Sequence, residues 1–220
     1  MKLKTLLQLL VIVLFTNQLK AQNTACIYQI NFNIDQDLVV PTRVRVGNQT
    51  TTTGQFNTVQ SFPQSLTDSV LNLVTRTVSK QLGATAAIVY KKNRRGNDVM
   101  SQNFGAQLGG MPRNRLRKAV LAEEKDYYVR VRIRYEKRGG AGITLGGTQI
   151  SQHRPVVIMR ITAWDVERKK LYNKKVKAKD FSRLRSVQRT AMNVTVQQNE
   201  VLSPQDIYNM LVKATEVYEK

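Results

Sequence analysis

The chain has 220 residues, with 35 Lys and Arg against 15 Asp and Glu, and a formal net charge of +20. Its 41% hydrophobic and 23% charged residues are ordinary for a globular chain, but the charge is concentrated. Residues 91–190 hold 26 basic and 8 acidic residues, a net of +18, whereas residues 22–90 hold 4 and 3. A field this one-sided points to a negatively charged partner or surface and argues against an enzyme for small neutral substrates.

In chain order, residues 1–21 read as a secretory signal peptide. Lys2 and Lys4 precede the apolar run Leu6–Phe15, and Ala21 offers a small residue for cleavage. The run falls well short of the ~20 residues that span a bilayer, so no transmembrane segment is expected in the mature chain 22–220. Removal of Lys2, Lys4 and Lys20 leaves that chain at +17. Cys26 is the single cysteine, which excludes an internal disulfide. A lipobox normally places Leu three positions before an acylated cysteine. Asn23 stands there, and Cys26 is expected as a plain, partly buried thiol.

Alternation at Tyr28, Ile30, Phe32 and Ile34 predicts a strand over 27–34. Leu38–Val46 is a second extended segment, interrupted by Pro41, with Arg43 and Arg45 on one face. A helix is predicted over Ser65–Leu82. Ser65 and Asp68 stand at capping spacing, Leu66, Val70, Leu73, Val74, Val78 and Leu82 form one stripe, and Gly83 stops it. Ala84–Tyr90 reads as a strand and Arg113–Lys125 as a shorter helix. Tyr127–Tyr135 is the clearest strand. Val129, Val131, Ile133 and Tyr135 share one side, while Tyr128, Arg130, Arg132 and Arg134 share the other. Pro155–Trp164, a polar turn at Asp165–Lys170 and Leu171–Lys179 form a hairpin. A last helix starts with Ser203, Pro204 and Asp206 in capping positions. The polar stretches 48–54, 94–110 and 138–152 read as loops, with mobility expected near 91–112 and 138–153. The sum is a single α+β domain over 22–220, an antiparallel or mixed sheet with helices packed on one face.

Little here suggests catalysis. His153, the only histidine, reads as a solvated loop residue beside Arg154, and no nucleophile turn accompanies it. One His and one Cys cannot build a typical zinc site. Gly139–Gly147 (GGAGITLGG) lacks the G-K-[ST] ending of a phosphate loop, and no cofactor is expected. The basic strand faces remain. Arg130, Arg132 and Arg134 stand about 6.6 Å apart along their strand, a spacing that suits bidentate contacts to phosphates or carboxylates. Arg160, Lys175, Lys177 and Lys179, with Arg43 and Arg45, extend this surface if their strands are neighbours, and Tyr128 and Tyr172 add aromatic edges. The loop cluster Lys91, Lys92, Arg94 and Arg95 is a second candidate patch. A solvated sheet face, with Arg and Lys stems over apolar surface and charges blocking edge pairing, is an equal alternative.

The order of pieces, with YYVRVRIRYEKR, then PVVIMRITAWDVERKKLYNKKVKA and a capped closing helix, resembles periplasmic assembly and accessory proteins of the curli-secretion and penicillin-binding-protein-activator type. The resemblance covers roughly 38–220 and leaves 91–125 without a counterpart. It implies a non-enzymatic envelope protein that docks on another protein, and it carries over no functional residues. The expected function is therefore an exported, non-enzymatic cell-envelope binding or assembly protein, periplasmic or extracellular, that engages an anionic envelope component or an acidic protein. The alternative is a nucleic-acid-binding protein, which the charge and interleaved tyrosines also fit.

Overall fold

The computed structural model describes residues 23–53, 62–102 and 106–219; the expected signal peptide lies outside them. The strands are β1 (Thr24–Ile34), β2 (Thr42–Val46), β3 (Gln49–Thr53), β4 (Thr85–Ile88), β5 (Lys91–Lys92), β6 (Asp98–Val99), β7 (Tyr127–Leu145), β8 (Thr148–Trp164), β9 (Lys170–Ala178), β10 (Leu184–Ala191) and β11 (Val194–Asn199). The helices are α1 (Gln64–Leu82), α2 (Leu116–Ala122) and α3 (Pro204–Glu219). Nine strands form one sheet in the order β3-β2-β11-β10-β8-β7-β1-β4, with β9 also paired to β8. Parallel pairing of β1 with β4 and β7 makes the sheet mixed.

The sheet branches at β8. Its first half, Thr148–His153, pairs with β10, and its second half, Val157–Trp164, pairs with β9. Two wings therefore share the β7–β8 ribbon. The main core lies on one side, where Ile30, Phe32, Val131, Ile133, Met159 and Ile161 meet Val70, Val74, Ile207 and Leu211 of α1 and α3. A smaller cluster on the other side packs Cys26, Tyr28 and Tyr128 against Ala119 of α2. The expectation of helices on one face thus holds for the two long helices and fails for α2. A bulge between Ile27 and Gln29 turns Tyr28 away from Ile30 and into that smaller cluster.

Other expectations need correcting. Residues 138–153 are not a loop but the distal arms of the β7–β8 hairpin, closed by Gly146 and Gly147, whose φ values of 52° and 79° suit a two-residue turn. The ladder to β8 holds this glycine-rich stretch extended. Residues 49–53 likewise form strand β3 against β2. Within 91–112, β5 and β6 pair as a small hairpin. The chain then bridges to β1 through Asn33–Gln107 and Gln29–Arg113, so Arg113 is extended and α2 starts only at Leu116. Helix α1 is capped by Pro63 rather than Ser65, and ends at Gly83 in the left-handed region. The capping box at α3 forms: Asp206 N donates to Ser203 Oγ (3.1 Å), and Ser203 N to Asp206 Oδ2 (2.9 Å). No helix among the described residues is long and apolar enough to cross a membrane.

Tyr218 pins α3 to the ribbon. Its buried hydroxyl accepts from Ile161 N (3.1 Å) and lies 2.8 Å from Lys174 O and 3.2 Å from Met159 O. Tyr218→Phe removes that oxygen and leaves buried backbone groups unpaired, a loss of about 1–3 kcal/mol. The expected result is a lower urea midpoint with an unchanged slope.

Candidate anion-binding face

The side of the sheet opposite the long helices carries the basic residues. Strand partners in register project to the same side, so the pairing defines rows across four strands. Asn31, Arg132, Arg160 and Lys175 form the central row. Asn33, Arg134, Ile158 and Lys177 form the next, and Gln29, Arg130, Thr162 and Asn173 the one before. Asn31, Asn33, Arg132, Arg134, Ile158, Arg160 and Lys175 line a depression of about 310 Å³. The bridge from Gln29 to Arg113 continues the surface past β1.

Arg132 and Arg160 sit directly opposite one another, a like-charge pair. Ion pairs engage Arg43, Lys92, Lys125, Arg134, Lys137 and Arg138 among others, and no carboxylate among the described residues pairs with Arg132, Arg160 or Lys175. The Arg132 guanidinium is held below its ordinary value, first by Arg130, then by partial burial, then by Arg160 and Arg134. Glu136 lies at the margin, 3.1 Å from Arg134 and 4.0 Å from Arg138. Arg130 has a second role: its guanidinium carbon lies 5.1 Å from the Trp164 ring centroid, and Trp164 packs on Tyr28.

Of the residues singled out by sequence, Arg130, Arg132, Arg134, Arg160, Lys175 and Lys177 come together. Lys179 lies beyond the end of β9. Lys92 is paired with Asp98 at 2.5 Å, and Arg94 and Arg95 are exposed in the β5–β6 turn, where Asn93 Oδ1 accepts from Arg95 N. Lys91 instead lines a second depression of about 730 Å³ with Arg113, Arg115 and Lys118. Arg43 and Arg45 belong to the other wing. Arg43 is bound to Asp37 at 2.7 Å, a carboxylate that also takes Lys137 at 2.8 Å. The aromatic edges are absent from the basic face. Tyr128 is buried beneath α2, donating to Glu123 O, and Tyr172 turns to the core side, 2.9 Å from Gln81 Oε1 of α1.

Sequence reasoning missed Asn31, Asn33 and Arg113. Alternation in INFNI contained the signal for the asparagines; Arg113 was hidden by its assignment to a helix. Cys26 is fully buried in register with Tyr128 and Ala87, and burial pushes its thiol up to about 12. Acylation there would require extracting β1.

No protein-family model matches the chain, and no curated protein matches it. Among solved structures, a neuraminyllactose-binding hemagglutinin homolog from Helicobacter pylori is similar over 89% of this chain and 81% of its own, at 8% identity and a TM-score of 0.33. A likeness that weak says nothing about what this chain binds.

His153 also departs from expectation: it is 1% exposed, and both ring nitrogens lack a hydrogen-bond partner. It faces the core side of β8, away from the arginines. Burial first, then Lys137, lowers its pKa below 6.5, against the opposing pull of Asp37, Asp35 and Glu200. A lowered folded-state value means that stability is full above the unfolded-state pKa of ~6.5 and falls as pH drops from there towards the folded value. Urea unfolding between pH 7.5 and 5 is expected to show that decline, and His153→Phe to flatten it.

Proposed function

We propose that the chain is an exported, non-enzymatic binding or assembly protein of the cell envelope that engages an anionic partner through the Arg132–Arg160–Lys175 row. One observation carries this reading. Three cations from adjacent strands converge in register, no carboxylate among the described residues pairs with them, and Asn31 and Asn33 add amide groups beside them. Such a surface is a preorganised receptor for phosphate, sulfate or carboxylate groups. The role fits what the resemblance to curli-secretion and penicillin-binding-protein-activator accessory proteins implies. The nucleic-acid reading loses its stacking platforms, since Tyr128 is buried beneath α2 and Tyr172 turns to the core side.

The test is retention on an immobilised sulfated polysaccharide across a salt gradient. Wild-type chain is expected to bind at low salt and to elute as salt rises. Arg132→Glu with Arg160→Glu should weaken binding at least tenfold while leaving the circular dichroism unchanged; both side chains point away from the core. Unaltered retention of the folded double variant overturns the reading. Stronger binding to a single-stranded oligonucleotide than to the polysaccharide transfers it to nucleic acid.

A further inference from the structure

The side of the sheet that bears the arginines does not end with them. Along β8 the even-numbered residues Arg160, Ile158, Val156, Arg154, Gln152 and Ile150 all project to that side. Beyond Arg154 its character changes. In the distal wing, register places Ile143, Ile150, Val187, Gln198 and Thr42 in one row, and Leu145, Thr148, Arg189, Val196 and Val44 in the next. Val194 and Val46 pair at the tip. The aliphatics at the tip meet solvent, with Ile143 and Leu145 each 67% exposed and Val46 54% exposed, while Ile150, Val187, Val196 and Val44 are half-buried.

The other side of the same strands is polar, buried at Ser186 and Asn199 and open to solvent at Thr190, Gln149 and Thr144. Ser186 is hydrogen-bonded to Asn199 at 2.7 Å, Gln197 donates to Asn199 Oδ1 at 3.0 Å, and Thr190 meets Thr195 at 3.3 Å. In this wing Ser186, Gln197 and Asn199 satisfy one another on one side, while the Ile, Leu and Val side chains lie on the other. An outward aliphatic patch of this kind marks an interaction surface. No helix among the described residues covers it. α1 and α3 lie on the opposite side, and α2 packs on Cys26 and Tyr128, at the far end of β7.

We infer that this side docks on an anionic lipid bilayer, with the Arg and Lys rows on headgroup phosphates and the wing's aliphatics in the boundary between headgroups and acyl chains. The inference rests on reading the basic face as an anion site and names the partner of that site. Three features favour a bilayer. The charged and aliphatic areas are contiguous on one side, and Ile150 stands only about 13 Å along β8 from Arg154 at ~3.3 Å per residue. Arg138 and Arg154, in register between the two areas, form a cationic belt where headgroups would lie. Arg189 within the aliphatic rows has a stem long enough to carry its charge back to that level. A second copy fits poorly, because stacking two such sides brings the two cationic rows together. A nucleic acid offers the aliphatics nothing to bury against.

The experiment is flotation of the full chain with phosphatidylcholine vesicles, with and without phosphatidylglycerol, beside retention on the sulfated polysaccharide. Wild type is expected to float with the anionic vesicles and to stay behind with pure phosphatidylcholine. Ile143→Ser with Leu145→Ser should lower vesicle affinity at least about tenfold, from the apolar area no longer buried, and leave polysaccharide retention intact. Arg132→Glu with Arg160→Glu should lose both. Leu145→Trp should give a blue-shifted emission quenched by brominated lipid on anionic vesicles. Retention on the polysaccharide without flotation overturns the bilayer inference and leaves the anion site standing; failure of both removes the site as well. Flotation of the serine variant like wild type, or an unquenched signal from the introduced tryptophan, also overturns it. So does a lipid-free dimer that the serine pair dissolves, which would assign the wing to a second copy.

Discussion

The ribbon formed by β7 and β8 imposes the constraint on which the rest depends. β8 is paired on both edges over most of its length and β7 is so along Tyr127–Tyr135, so neither can rotate there, and in that part a residue's side is fixed by whether its number is odd or even. Val129, Val131, Ile133, Tyr135, Val157, Met159 and Ile161 must go under the long helices. The residues between them then have no choice but to face the other way. Burying each of those aliphatics gives roughly 1.5–3 kcal/mol, whereas a like-charge pair opposite in a sheet costs well under about 1 kcal/mol. The core therefore wins easily, and Arg132 stays opposite Arg160 despite their repulsion.

The branch point at β8 uses the same logic. β10 leaves off at His153 and β9 begins at Val157, so Arg154, Pro155 and Val156 have a strand partner only on the β7 side. That is where a residue without an N–H does least damage, and Pro155 occupies it. The junction is held by polar groups instead. Asp37 ties Arg43 to Lys137, and Asn199 Nδ2 reaches Val40 O at 3.0 Å, linking the N-terminal crossover to β7 and β11. His153 lies in this neighbourhood, and burial lowers the pKa of its ring.

Alternation made the central strands and their two sides legible in the sequence, and the spacing around Ser203 made the last helix so. What stayed hidden needed a neighbour to define it. Gly139–Gly147 has the composition of a loop, yet all but its last two residues become strand because β8 supplies their hydrogen bonds. Tyr28 follows the period of Ile30 and Phe32, but a single bulge sends it to the other side. His153 reads as solvated beside Arg154, yet adjacent residues in a strand face opposite ways, and only Arg154 reaches water. Arg43 has the same TRVRV alternation as the basic strand. Its ladder partner is β11, on the other wing, and Asp37 neutralises it. Period gives the side of a strand; it does not give which strand lies next to it.

The remaining question is whether the cations are merely a solvated face. Charges placed to protect a sheet belong on its edges, where unpaired backbone would otherwise recruit another chain. β9 is such an edge, and edge protection accounts for Lys175 and Lys177. It does not account for Arg132 or Arg160, because β7 and β8 are paired on both edges at those positions. Coverage of apolar surface by arginine stems explains Arg130, which roofs Trp164, and leaves Arg132 in a polar setting between Asn31 and Arg160. Solubility alone would be served by dispersed charge, with acids interspersed, at lower repulsive cost. Clustering on interior strands is the arrangement that a bound anion relieves, since each anion replaces several unfavourable pairs by favourable ones.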